Sequence, residues 1–246
     1  MRAKNLPNLV FGPPPSDLKL TLNEIHIWST CVDQPQPEVH GLEKLLSREE
    51  KIRAEKFHFE RHRMRFIVGR GFLRTILGRY LCVKPGRLQL IHGKNGKPTL
   101  AGAYADTGVS FNLSHSKGQA LYAITLGREI VVDIEYIHDF SDMEQIADNI
   151  LSASEKIAFR KLQKQKKLKV FFKCWTRKKA FLKALGTGLS QSMDMIDITT
   201  FYGEETAGEK IEVSSDEISK WSIHDIAPIP GFAAAFAVKG DRKSVV

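Results

Sequence analysis

Two similar heptapeptides, matching at five of seven positions, constrain this chain more than any other feature: LSREEKI at Leu46–Ile52 and LSASEKI at Leu151–Ile157. Each copy follows a strand-like stretch and precedes a helical pattern that carries an aromatic, a leucine and a basic residue in a row. Those triplets are Phe72-Leu73-Arg74 and Phe181-Leu182-Lys183. The heptapeptide alone is short enough to reflect shared capping chemistry, since Ser47 and Glu50 have the spacing of a capping box. Agreement in order across three elements points further, to two similar α+β halves with a cleft between them.

The chain divides accordingly. Residues 1–20, with the prolines Pro13–Pro15, read as an extended arm, 21–126 as the N-terminal half, 127–240 as the C-terminal half and 241–246 as a frayed tail. In the first half EIHIWST alternates as a strand does, a loop follows through DQPQPE, and helical patterns run from Gly41 and from about Arg61 to Leu81. GKNGKPTL reads as a turn by Asn95-Gly96 and Pro98, and Asn112–Gly118 as a polar turn before a strand from about Ala120 to Thr125. In the second half strands are expected at Glu129–Ile137, Met195–Phe201, Trp221–Ile226 and Phe232–Val238. The lysine run Lys161–Lys169 reads as a solvated, mobile segment, or as a docking surface for an acidic protein.

Composition narrows the compartment and the partners. With 42% hydrophobic and 26% charged residues and no long apolar run, the chain reads as a soluble cytoplasmic protein without a membrane span or signal peptide. Cys31, Cys82 and Cys174 are an odd number, far apart, so neither a disulfide framework nor a zinc site is expected. A net charge of +9 favours polyanionic partners, but no recognition helix, zinc finger or RNA-binding signature points to nucleic acid.

Four local patterns carry charge in places that chemistry can use. In Phe171–Leu189 the apolar residues Phe171, Cys174, Trp175, Phe181, Leu182 and Leu185 form a helical stripe that closes on Gly186 and Gly188. Lys178 interrupts that stripe, either covering apolar surface with its stem or joining Lys179 and Lys183, which lie four apart and project together. Arg61 with Arg65, and Arg70 with Arg74, repeat the same spacing on the earlier helix, as a solvated basic face also would. His58 and His62 share a face, yet HFERH lacks the glutamate of a zinc-protease motif. On the strand at Glu129–Ile137, alternation places Asp133 and Glu135 together, which suits a hard cation or simply a solvated strand face.

GKNGKPTL, FNLSHS, VVDIE and FFKCWTRKKAFLKALGTGL, in that order, resemble the 4'-phosphopantetheinyl transferases of the larger, surfactin-synthetase-activator type. KFHFERHRMRF and PGFAAAFAV support the likeness, which covers roughly Glu24 to Val238. The resemblance implies a pseudo-dimer of two similar α+β halves, each a small, mainly antiparallel sheet packed on a long helix, fused as a monomer with the active site in the cleft between them. It also implies transfer of the phosphopantetheine arm of coenzyme A onto a serine of an acidic acyl or peptidyl carrier protein, releasing 3',5'-adenosine diphosphate. Fatty acid, polyketide or nonribosomal peptide biosynthesis are the pathways such enzymes serve. Carried over by position, Gly96, Lys97 and Pro98 lie against the adenine, and Ser114 and His115 contact coenzyme phosphates. Lys94 and Asn112 join the cofactor-binding set, and Arg61 and Arg65 supply cations near the 3'-phosphate. Asp133 and Glu135 hold magnesium, for which manganese can substitute, Lys183 reaches the diphosphate, and Trp175 packs beside the site.

Two positions depart from the family pattern. Where relatives carry a metal-binding glutamate after the helix lysine, this chain has Lys179, which cannot coordinate as an ammonium ion. Lys179 is therefore expected either to replace part of the metal's charge, with Glu135 or a water taking the serine proton, or to silence transfer. The silenced form is a degenerate member that holds coenzyme A or carrier protein with weak or no transfer. Val131 stands where relatives place glycine, on the Asp133 face, and is expected to crowd the metal site.

Overall fold

The computed structural model describes Pro15 and residues 18–93, 96–186, 192–197, 221–226 and 229–240. Most of the expected arm, the tail, Lys94, Asn95, Gly188 and the expected strand beyond residue 197 lie outside the described residues.

The first half runs β1 (Ile25–Cys31), α1 (Gln36–Glu43), α2 (Arg48–Glu55), α3 (Glu60–Tyr80), the hairpin β2 (Leu90–His92) and β3 (Pro98–Leu100), then β4 (Val109–Ser116) and β5 (Gln119–Leu126). The second runs β6 (Ile130–Tyr136), α4 (Met143–Ile150), α5 (Ala153–Arg160), α6 (Lys164–Leu185), β7 (Trp221–Ile226) and β8 (Phe232–Lys239). Each half forms an antiparallel three-stranded sheet with its first strand beside its last and its last beside its penultimate: β1-β5-β4 and β6-β8-β7. The expected α+β pseudo-dimer is thus present as two copies of one topology.

Period-two alternation distributes the core. Tyr122 and Ile124 of β5 face α3, where they meet Ile67, Leu73 and Leu77, while Leu121 and Ala123 face the other sheet. Ala233, Ala235 and Ala237 of β8 let α6 lie close, so that Phe181 and Leu182 are buried against the sheet. Each such side chain contributes roughly 1.5–3 kcal/mol by leaving water. Val132, Ile134, Ala234 and Phe236 join the β5 residues in a third cluster between the sheets, and this cluster holds the halves together.

The heptapeptides do the same work twice. Ser47 caps α2 and Ser152 caps α5, each accepting from the backbone N–H of a glutamate three residues on, whose carboxylate returns to the serine N–H. Those glutamates are buried and each meets a cation from the long helix. Arg74 Nε lies 2.6 Å from Glu50 Oε2 and donates through Nη1 to the carbonyls of Pro85 and Leu88. Lys178 Nζ lies 2.5 Å from Glu155 Oε2 and donates to the carbonyls of Ile150 and Met193. Lys178 is therefore neither a snorkelling side chain nor part of a cationic cluster: it is 0% exposed and locks three segments together. Its counterpart is Arg74, so the triplets Phe72-Leu73-Arg74 and Phe181-Leu182-Lys183 do not correspond in space, and Lys183 lies more than a turn beyond the matched position.

Three local expectations change. The DQPQPE loop is shorter, because Pro35 and Pro37 fit the first turn of α1, where a missing N–H costs nothing. Asn112–Ser116 belongs to β4, leaving Lys117 and Gly118 as the turn; the polar residues that suggested a turn serve a seam described below. Lys164–Lys169 begins α6, with Lys167 held to Glu144 at 2.8 Å, so the basic run is helical. Gly186 closes α6 with φ of 70°, as expected for its place after the apolar stripe.

Candidate active site

Strands β4 and β6 meet edge to edge without a backbone ladder, and polar side chains of β4 take its place. Asn112 Oδ1 accepts from Val132 N at 3.0 Å and Ser116 Oγ from Tyr136 N at 3.1 Å. Because these residues alternate, Ser114 falls between them and donates to Asp133 Oδ1 at 3.1 Å, while Ser116 Oγ donates to Glu135 Oε2 at 2.9 Å. The seam thereby fixes both carboxylates, which share a strand face as the spacing predicted.

Helix α6 brings two lysines to that face, four residues and so one turn apart. Lys183 Nζ lies 2.5 Å from Asp133 Oδ1, 3.2 Å from Ser114 Oγ and 3.4 Å from the Val132 carbonyl. Lys179 Nζ donates to Glu135 Oε1 and stands 3.4 Å from Asp133 Oδ2. Burial alone lowers the Lys179 pKa, but the Asp133 and Glu135 carboxylates outweigh it and hold the ammonium above the ordinary lysine value. Asp133 is 0% exposed, and its Oδ2 makes no hydrogen bond among the described residues; the Lys179 contact is an ion pair without hydrogen-bond geometry.

Beside this cluster lies a cavity of about 820 Å³ that crosses the seam. Its lining comes from Gly93, Gly96, Lys97, Pro98 and Thr99 of the hairpin, from Arg65, Phe66 and Arg70 of α3, and from Asn112, Leu113 and His115 of β4. Lys183 and Gly186 of the second half complete the lining, and Lys183 is the residue paired with Asp133. The volume falls in the range of cofactor sites. Desolvation beside the cavity, then the charges of Lys183 and Arg65, push the His115 pKa below its usual value.

The structure thus gathers Arg65, Gly96, Lys97, Pro98, Asn112, His115 and Lys183 around one cavity, and Lys183 joins that lining to Asp133, which Lys179 links to Glu135. Ser114 lies beneath, bonded to Asp133. Arg61 does not line the cavity: its side chain is 67% exposed and held by Asp33 at 3.3 Å. Asp33 also grips Arg65 through two hydrogen bonds of 2.6 and 2.7 Å, and that guanidinium lowers the Asp33 pKa to about 2. Trp175 of α6 stacks on Phe171 with centroids 5.8 Å apart and packs, half-buried, against the core of the second half.

Sequence reasoning missed Arg53, Phe57, Phe66 and Arg70 as cavity residues. Arg53 and Arg70 both lie over the Phe66 ring, at 5.5 and 5.6 Å, and Phe57 packs on it. Arg70 is 6% exposed, lies 3.5 Å from Glu50, and leaves Nη1 without a partner among the described residues. The alternation of aromatic and basic residues in KFHFERHRMRF was the available signal for Phe57 and Phe66.

A divalent cation does not fit this donor set. Asp133 and Glu135 supply two carboxylates, no cluster of three His, Cys, Asp or Glu stands anywhere among the described residues, and the Lys179 ammonium occupies the position between the two. A doubly charged ion about 4 Å from that ammonium would be opposed by about 8 kcal/mol at an effective dielectric of 20. Val131, buried at 1% opposite Ala237, further fills the Asp133 face.

Comparison with known proteins agrees with the site. The family model described as 4'-phosphopantetheinyl transferase superfamily matches residues 129–237, and the one described as 4'-phosphopantetheinyl transferase, N-terminal, matches residues 28–126. The chain is 38% identical over 228 residues to the 4'-phosphopantetheinyl transferase HetI of Nostoc sp., covering 93% of each chain. It is 31% identical over 175 residues to a putative 4'-phosphopantetheinyl transferase of Synechocystis sp., covering 71% of this chain and 70% of that one. Identity is 26% over 212 residues with the L-aminoadipate-semialdehyde dehydrogenase-phosphopantetheinyl transferase of Xenopus laevis, covering 81% and 66%. From its sequence and its paired halves, the chain belongs to the 4'-phosphopantetheinyl transferase superfamily.

Proposed function

We propose that this chain transfers the 4'-phosphopantetheine arm of coenzyme A to a serine hydroxyl of an acyl or peptidyl carrier protein. One observation carries the reading: a cavity lined by Arg53, Arg65, Arg70 and Lys97 ends at Lys183, which is bonded to the buried Asp133. Coenzyme A concentrates negative charge on a 3'-phosphate and a diphosphate, and a site for it needs several cations around a pocket large enough for the nucleotide.

The serine Oγ attacks the phosphorus that bears the pantetheine arm. A new O–P bond forms, the P–O bond to the adenosine-side phosphate breaks, and 3',5'-adenosine diphosphate leaves. Lys183 and Lys179 neutralise charge gathering on the bridging and leaving oxygens, and Glu135 or a water receives the serine proton. Asp133 and Ser114 hold Lys183 in place. The hairpin residues Gly96, Lys97 and Pro98 take the adenine, and His115 with Arg65 meets the 3'-phosphate. The magnesium dependence implied by the resemblance reaches this proposal only as two carboxylates already bridged by Lys179, so no step runs through a metal.

An acidic carrier protein suits a chain of net charge +9. A cytoplasmic monomer, with halves at 21–126 and 127–240, completes the reading. Incubating an apo carrier protein with the chain and coenzyme A should add one phosphopantetheine arm, and peptide mapping should place it on serine. Lys179 between the carboxylates favours one second reading, a member that holds coenzyme A without efficient transfer. Tight coenzyme A binding with no modified serine on any carrier would establish that one instead.

A further inference from the structure

The space between Asp133 and Glu135 is filled by the chain itself. One ammonium, Lys179 Nζ, donates to Glu135 Oε1 and faces Asp133 Oδ2 at 3.4 Å, while Lys183 Nζ takes the other Asp133 oxygen at 2.5 Å. Bridging two carboxylates is what a hard divalent cation does with oxygen ligands. Here the bridge is covalently attached to α6. Asp133 Oδ2 is buried without a hydrogen bond, so Lys179 supplies its charge compensation. Asp133 and Glu135 carry two negative charges, Lys179 and Lys183 two positive ones, and the cluster is neutral as built.

Both ammonium groups stand one turn apart on a helix whose other face is locked by the buried Lys178–Glu155 pair. Their spacing is therefore set by backbone and packing. Lys179 is 22% and Lys183 37% exposed, enough for phosphate oxygens to reach them, whereas Asp133 is 0% exposed. The cations look outward and the carboxylate that orients them lies behind.

We propose that Lys179 is the resident cation of this site, a tethered ammonium in the place of a divalent ion, so that the transferase runs without added metal. The inference rests on the transfer reaction proposed above and adds the identity of the charge that serves it. Changing Lys179 to glutamate alters the local charge by two units, which is the charge one divalent ion returns. That substitution should convert a metal-free site into a metal-dependent one.

The test uses the full chain stripped with EDTA, with manganese(II) alone titrated by calorimetry and transfer to an apo carrier protein timed in EDTA and in magnesium. The unmutated chain is expected to transfer in EDTA within about threefold of its rate in magnesium. Lys179→Glu should bind manganese at least about tenfold more tightly than the unmutated chain and transfer at least about tenfold faster in magnesium than in EDTA. Lys179→Met, a second variant that adds no carboxylate, should lose roughly tenfold or more in EDTA. Circular dichroism checks that both variants fold, and the unmutated arms stand without them. An unmutated chain that stops in EDTA and recovers in magnesium, or that binds manganese as tightly as Lys179→Glu, overturns the proposal. If no chain transfers under any condition, the transferase reading fails, and the manganese titration still decides what occupies the site.

Discussion

The two halves share a frame and differ where chemistry is needed. In each, a capping glutamate is buried against a cation of the long helix, Arg74 on Glu50 and Lys178 on Glu155. The next residue along each helix separates them. Thr75 turns its hydroxyl back to the Gly71 carbonyl at 2.9 Å, while Lys179 reaches out to Glu135 and Asp133. The first strands differ in the same register: β1 carries Trp28 and Thr30 where β6 carries Asp133 and Glu135. Trp28 donates to the Tyr80 hydroxyl at 2.9 Å, a packing role. Neighbouring lysines on α6 thus have opposite duties, Lys178 shared with the other half through its counterpart and Lys179 peculiar to the site. A duplicated scaffold needs only a few substitutions on one copy to acquire a charged cluster at the seam.

At the buried pairs the two halves should behave alike. Glu50→Ala and Glu155→Ala each leave a buried cation without its carboxylate and should each cost about 3–5 kcal/mol in urea unfolding. A near-neutral result in one half would show that the frames are not equivalent. At the strand positions the halves should diverge instead. Asp133→Asn should slow transfer roughly a hundredfold or more with the fold retained, because it frees Lys183, whereas Trp28→Phe should leave the transfer rate within about twofold. Next in size, His115→Ala should weaken coenzyme A binding about tenfold and dephospho-coenzyme A binding far less, since only the former has a 3'-phosphate. The smallest effects belong to the caps. Ser47→Ala should cost about 1 kcal/mol, and Ser152→Ala somewhat more. The extra loss reflects the Ser152 hydroxyl, which also donates to Asp197 at 3.0 Å.

What was legible in the sequence was periodic or local. The repeat announced two halves, alternation put Asp133 and Glu135 on one face, helical spacing put Lys179 beside Lys183, and Gly186 marked the end of α6. What was hidden depends on partners distant in the chain. Lys178 looked misplaced because its carboxylate lies on α5 and its carbonyl acceptors on two other segments. Asn112, Ser114 and Ser116 looked like a turn because polar side chains here replace a backbone ladder between two sheets. Arg53 and Arg70 join one cavity only after α2 and α3 pack on each other, and charge spacing along either helix suits a solvated face equally well. Matching triplets by their letters misaligned the halves, whereas the buried glutamates align them by the contacts they make.

Intact-mass analysis of an apo carrier protein, incubated with coenzyme A and this chain in EDTA, bears most directly on the account. A serine-bound phosphopantetheine arm gained at a rate close to that in magnesium is the predicted result. An arm gained only when magnesium is present would contradict the role given to Lys179, and no arm under either condition would contradict the transfer itself.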